Sequence, residues 1–141
     1  MTEEKRLLLI DLSARLPHNV VIRCTDSDTD YKCFLTTDIL NEILHGKEYY
    51  DYRPYLRPMS SMTDEELKEL NEKYGNIAYF FIQEQPYYHG LQVQHSDIGS
   101  IEISEFSEIY DWLNAHHFDY RGLIEKGLAL EVPEGMYKID L

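Results

Sequence analysis

Apolar residues along this chain recur with two periods, and the alternation between them lays out a sequence of helices and strands. Leu8, Leu9, Leu12 and Leu16 follow spacings of three and four, which puts an apolar stripe on one side of a helix. Thr2 can cap that helix, Glu3 and Glu4 suit its opening turn, Arg15 suits its last, and Pro17 prevents its continuation. Residues 19–25 and 31–36 are β-rich runs separated by Asp26-Ser27-Asp28-Thr29-Asp30, a cluster of turn formers, and are expected to form a hairpin. A turn centred between Asp28 and Thr29 would set Cys24 directly opposite Cys33, as neighbouring thiols in a packing role.

Thr37-Asp38 followed by Ile39, Leu40, Ile43 and Leu44, ending at Gly46, reads as a short helix, with a strand over 38–46 as the alternative. Two Arg-Pro steps in the run from Lys47 to Pro58 favour extended backbone and a strand or edge segment. The strongest local signal follows. Thr63 and Glu66 have the spacing of a capping box, and Met62 and Leu67 that of a hydrophobic staple, so a helix is expected over Asp64–Tyr74. Residues 77–84 and 89–95 suggest a second hairpin and 100–103 a further short strand. Ser104 can cap a helix carrying Phe106, Ile109, Tyr110 and Leu113 on one face, and Asp119 another through Ile124, stopped by Gly127. Together these elements predict one α+β domain over residues 1–141. A small, mainly antiparallel sheet of four to six strands would carry the N-terminal helix and two or three further helices packed on it.

Charge narrows the range of partners. Twenty-six acids against thirteen bases give a formal charge of −13, a field of the wrong sign for direct binding to nucleic acid, which requires Lys and Arg against phosphates. No apolar run approaches the ~20 residues that span a bilayer, so no membrane partner is expected. The start of the chain lacks the pattern of a secretory signal, and two cysteines are too few for a disulfide framework. A cytoplasmic address follows as the expectation.

No pattern of catalytic residues emerges, and neither a cofactor nor a metal is expected. Asp26, Asp28 and Asp30 alternate like the start of a calcium loop, but Tyr31 and Thr37 stand where that loop needs glycine and a bidentate glutamate. The six histidines include no helical pair spaced to share a metal, and His116-His117 suits a helix end. Cys24 and Cys33 have no histidine to activate them, Ser60-Ser61 is accounted for by capping, and the glycines form no phosphate loop. More suggestive are the 12 tyrosines. Tyr49, Tyr50, Tyr52 and Tyr55 gather with Arg53 and Arg57, residue types that anchor interfaces, and Tyr87-Tyr88 falls on a predicted turn. These residues form the candidate binding surface.

Two longer motifs resemble a known family. Pro54-Tyr55-Leu56-Arg57-Pro58-Met59-Ser60-Ser61-Met62-Thr63 and the run from Trp112-Leu113-Asn114-Ala115-His116-His117 through Tyr120-Arg121-Gly122-Leu123 to Glu131 are similar to the central and terminal motifs of a family of small uncharacterised proteins of gut Bacteroidetes and their phages. The resemblance transfers no activity or catalytic residue. What it implies is an accessory or host-modulating role. The expectation is therefore a non-enzymatic, acidic, Tyr-rich module that binds a protein partner, including the possibility of nucleic-acid mimicry. The alternative is a small-ligand or nucleotide-binding protein, or an enzyme, using Arg53, Arg57 or Arg121.

Overall fold

A computed structural model describes residues 1–26, 29–46, 51–74 and 103–137. They form an α+β fold of four α-helices and five short strands, mostly antiparallel: α1 (Glu3–Arg15), β1 (Val21–Thr25), β2 (Asp30–Phe34), α2 (Thr37–His45), β3 (Asp51–Pro58), α3 (Asp64–Tyr74), α4 (Ile103–Ala115), β4 (Phe118–Asp119) and β5 (Leu130–Glu131). The predicted strands over 77–84 and 89–95 lie outside the described residues, as does that over 100–103 apart from Ile103, which begins α4 instead. None of the described helices is long and apolar enough to cross a membrane. The chain divides into two compact units, Met1–Arg57 with Leu123–Leu141, and Pro58–Gly122.

In the first unit, Thr2 caps α1 by accepting the Lys5 N–H at 3.1 Å, satisfying one of the donors a helix start leaves open. The buried side of α1 is not purely apolar. Leu8 and Leu12 share it with Asp11 and Arg15, both wholly shielded from solvent. Arg15 Nε donates to Asp11 Oδ2 at 2.7 Å and Nη2 to Oδ1 at 3.2 Å, a two-pronged pair one helical turn apart. Leu9 and Leu16, expected in the stripe, pack only at its margin.

The hairpin forms in a register different from the expected one. Cys24 lies opposite Tyr31 and Ile22 opposite Cys33, so the turn is centred one residue earlier and the cysteines are diagonal neighbours. The tip explains the shift: Asp26 Oδ1 accepts from the Thr29 N–H at 2.7 Å and its hydroxyl at 3.1 Å, closing a tighter turn on Asp26. On the other side of β1, Arg23 faces Arg53 and Cys24 faces Tyr52 in an antiparallel ladder with β3. Val20, Ile22 and Cys24 point to one side and build the core with Leu8, Leu12, Leu35, Ile43 and Leu56. Parallel pairing of β5 with β3 at Tyr55 and Leu56 brings the C-terminal segment into this unit.

Residues 37–45 are helical, which resolves the helix-or-strand alternative. Thr36 caps α2 by accepting the Ile39 N–H, and Ile43 faces the core. Gly46 ends α2 in extended conformation rather than the left-handed one. A Cβ there would stand 2.0 Å from the Glu42 carbonyl oxygen, so only glycine fits.

The capping box opens the second unit as expected. The Thr63 N–H donates to Glu66 Oε1 at 3.0 Å and the Glu66 N–H to Thr63 Oγ1 at 3.2 Å. Met62 and Leu67 lie against a core of Leu70, Ile109, Trp112, Leu113, Phe118 and Tyr120. The expected helix from Asp119 to Ile124 does not form. Phe118 and Tyr120 are both buried, His117 reverses the chain at φ 64°, and Gly122 turns it again at φ 74°. In its place stand β4 and a single turn closed by Gly127 at φ 75°, where the Leu128 N–H returns to the Leu123 carbonyl at 2.9 Å.

Removing one member of the Asp11–Arg15 pair strands a buried charge. Asp11→Ala is therefore expected to lower unfolding free energy by about 3–5 kcal/mol in denaturant titration, whereas Asp11→Leu with Arg15→Met recovers most of that loss. A double variant as unstable as the single one would contradict this account.

Candidate functional site

Strand alternation distributes the candidate binding residues of β3 over its two sides. Tyr52 faces the core of the first unit at 7% exposure and donates its hydroxyl to Glu42 of α2. Tyr55 and Arg57 are also buried, at 7% and 5%. Arg53 is half-exposed, with Nε 2.9 Å from Asp51 Oδ2. The rings of Tyr52 and Tyr55 are therefore not presented together. Tyr49, Tyr50, Tyr87 and Tyr88 lie outside the described residues. Arg121, in the second unit, sits over the ring of its neighbour Tyr120 at 5.1 Å, and the Tyr120 hydroxyl donates to Asn114 Oδ1 at 2.9 Å.

The other chemical candidates have local structural roles. His116 stacks on Trp112 with centroids 3.8 Å apart and holds the Trp112 carbonyl with Nδ1 at 2.8 Å, while the indole N–H reaches Glu69 at 3.3 Å. Ser61 donates to the Pro58 carbonyl at 2.7 Å. Asp30 accepts from the Thr25 hydroxyl, and Asp26 from Thr29. Among the described residues no group of three His, Cys, Asp or Glu side chains converges as a metal ion would require.

Two polar clusters lie in the first unit, the expected pair of neighbouring thiols and a phenol that the sequence did not single out. On the core side of the hairpin, Cys24 Sγ and Cys33 Sγ are 3.0 Å apart despite their diagonal register. Burial pushes the Cys24 thiol up to about 12, with the neighbouring Cys33 adding to the shift. A thiol held protonated in this way is a poor nucleophile and a poor metal ligand. Tyr31, at the exposed margin, is also raised, chiefly by the Cys24 charge it would face. Burial, followed by the Glu42 carboxylate, raises Tyr52.

The second polar device is Tyr137. Its hydroxyl accepts the Val21 N–H and donates to the Tyr55 carbonyl, both at 2.8 Å, bridging β1 and β3 just beyond their last direct pair, Ile22 with Pro54. Pro54 has no N–H to extend the ladder. The phenol supplies the missing connection, and burial lifts it to about 12.

The opposite side of the sheet is ordered in rungs. Asp30, Thr25 and Asp51 form one across β2, β1 and β3. Lys32, Arg23 and Arg53 form the next, and Phe34 with Val21 follows. Lys32 Nζ also lies 5.5 Å from the centre of the Tyr55 ring. Among the described residues β2 pairs on one side only, with β1, and it carries the exposed rings of Tyr31 (50%) and Phe34 (61%). Strand pairing revealed these positions. In sequence, Arg23 and Lys32 are isolated bases, and nothing in composition aligns them.

No protein-family model, curated protein or solved structure matches this chain.

The raised groups fix the sign of an alkaline transition. Unfolded, Cys24 and the tyrosines release protons from about pH 8.5 to 10; folded, Cys24 and Tyr137 hold theirs to about 12. Above the unfolded values the unfolded state binds fewer protons, so stability falls as pH rises, while below them the contribution is complete. The denaturation midpoint is expected to be level between about pH 7 and 8 and to decline from about pH 9. Tyr137→Phe should flatten that decline and lower the neutral-pH stability by about 2 kcal/mol, since it strands a buried N–H and carbonyl. A midpoint unchanged through about pH 11 would refute the assignment.

Proposed function

We propose that this chain is a non-enzymatic binding module whose docking element is the open edge of β2, to which a partner protein adds an extended, positively charged segment. The observation that carries the reading is the combination of one-sided pairing among the described residues and exposed aromatic rings on that strand. An unpaired strand edge offers a row of backbone donors and acceptors to an incoming strand, and alternate side chains supply specificity. Parity identifies the groups on offer. The Leu35 N–H bonds to the Val20 carbonyl at 2.9 Å, so odd-numbered amides of β2 face β1 while those of Lys32 and Phe34 face outward. Tyr31 and Phe34 flank that edge from opposite sides of the sheet, a pair of anchors of the kind that dominate interfaces.

The sign of the partner follows from charge. A chain at −13 steers positively charged molecules toward itself and repels a second copy of itself. In an edge-to-edge homodimer centred on Lys32, two ammonium groups would also face each other, which is unfavourable between strands. An accessory or host-modulating role is consistent with a small acidic binder of this kind. The buried, protonated Cys24 and the absence of a converging metal cluster among the described residues give no support to an enzymatic reading.

The test is amide hydrogen exchange on the protein alone and with the partner it captures. Free, the Lys32 and Phe34 amides are expected to exchange fast and those of Tyr31, Cys33 and Leu35 slowly. Bound, protection should appear at Lys32 and Phe34, and Phe34→Asp should weaken binding at least tenfold. Protection confined to other segments, with β2 unchanged, would exclude this docking mode.

A further inference from the structure

We propose that the rung formed by Lys32, Arg23 and Arg53 is a binding site for a phosphate-class oxyanion, on the sheet surface beside the β2 edge and not dependent on a partner at that edge. Three cations stand directly opposite one another on three adjacent strands, Lys32 against Arg23 and Arg23 against Arg53. Neighbouring strands are about 4.8 Å apart, so the three side chains leave the sheet within roughly 10 Å and emerge on one side of it. Like charges placed in this way repel, and a natural sheet normally offsets them with acids opposite. Here the chain has twice as many acids as bases to draw on. Among the described residues only Asp51 reaches the rung, and it engages Arg53 alone.

Arg23, at the centre, carries the argument. Its side chain is half-buried, and its Nε is shielded from water with no hydrogen-bond partner among the described residues. A guanidinium donor removed from solvent and left unbonded costs free energy that an acceptor would recover. On one side Lys32 has its ammonium near the Tyr55 ring rather than a carboxylate; on the other, Arg53 holds Asp51 at the surface, where an ion pair is easily exchanged. The missing component is an anion seated over Arg23. Asp30, on the adjacent rung, does not fill that place, since its carboxylate takes the Thr25 hydroxyl.

The geometry points to phosphate rather than carboxylate. Two guanidinium groups and an ammonium in a row present more donors and more charge than one carboxylate can satisfy, whereas a phosphate dianion has three or more oxygens to share among them. The exposed ring of Phe34 stands on the same side, one rung along, so a phosphate ester with a flat base could add a stacking contact that inorganic phosphate lacks. The overall negative charge of the chain opposes any anion at long range. Binding is therefore local, of short reach, and strongest at low ionic strength.

The experiment is a titration of the full chain at low ionic strength, observing the Arg23 Nε–H signal by NMR. Inorganic phosphate and adenosine monophosphate are the probes, and chloride at matched ionic strength is the control. Saturable displacement of that signal by phosphate, not reproduced by chloride, is the expected result. Arg23→Gln should weaken phosphate binding at least tenfold. Because Lys32 is exposed, Lys32→Gln tests the same rung with little risk to the fold and should weaken binding about threefold or more. Equal affinities would identify the phosphate group alone as the ligand, and tighter binding of the monophosphate would identify an ester. An unchanged Arg23 signal, an equal response to chloride, or full affinity in Lys32→Gln would overturn the proposal.

Discussion

A guanidinium and a carboxylate buried on one face of α1 constrain how that helix packs in the first unit. Arg15 and Asp11 are wholly enclosed and joined by two hydrogen bonds on the face that also carries Leu8 and Leu12, so α1 cannot turn that face toward solvent without exposing the leucines, and neither charge can lose the other while it stays buried. The Arg15 charge also acts on the phenol of Tyr137, the group that closes the gap between β1 and β3. One helix orientation is thereby linked to the spacing of two strands and to the docking of the C-terminal segment. A leucine at either position could fill the volume but would specify no angle.

The same packing sorts the side chains of β1 and the start of β3 between the two sides of the sheet. With α1 and α2 contributing to the core on one side, Ile22, Cys24 and Tyr52 are buried there, and their neighbours Arg23 and Arg53 must emerge on the other. Packing on one side therefore produces the basic rung as its geometric complement. The same alternation gives β2 an aromatic ring on each side, Tyr31 beside the thiols and Phe34 beyond Lys32.

Electrostatics operates here on two length scales. Over the whole molecule the excess of acids sets the sign of what approaches, and it is screened within about 8–10 Å at ordinary salt. Within a single rung, three bases impose the opposite preference over a few ångströms. The two proposals, a positively charged partner strand at the edge of β2 and a small anion on the neighbouring sheet surface, are compatible for this reason. The first responds to the net field, and the second to contacts too short for that field to dominate.

Much of the fold was legible in the chain because its signals are local. The Thr63–Glu66 box, the Thr2 cap, the helix over 37–45 and the hairpin depend on residues within a few positions of one another, and each formed. Where backbone direction was decided by distant packing, reading along the chain failed. The segment after Asp119 carries a helix-start signal, yet burial of both Phe118 and Tyr120 required extended backbone there. The hairpin register moved because one side-chain contact, Asp26 to Thr29, selected a tighter turn than composition could distinguish. Of Tyr52, Arg53, Tyr55 and Arg57, neighbours in sequence, a period of two sends Tyr52 to the core side and the other three to the opposite side, where Tyr55 and Arg57 are buried and Arg53 is half-exposed. Conversely, Arg23, Lys32 and Arg53 have no relation along the chain and meet only through strand pairing. The amino-acid order by itself determined helix ends, the identity of the strands and the net charge, because each arises from neighbours or from simple addition. Tertiary structure alone decided which charges are buried, in what register the thiols meet and which bases align, because those depend on contacts between residues that the chain keeps apart.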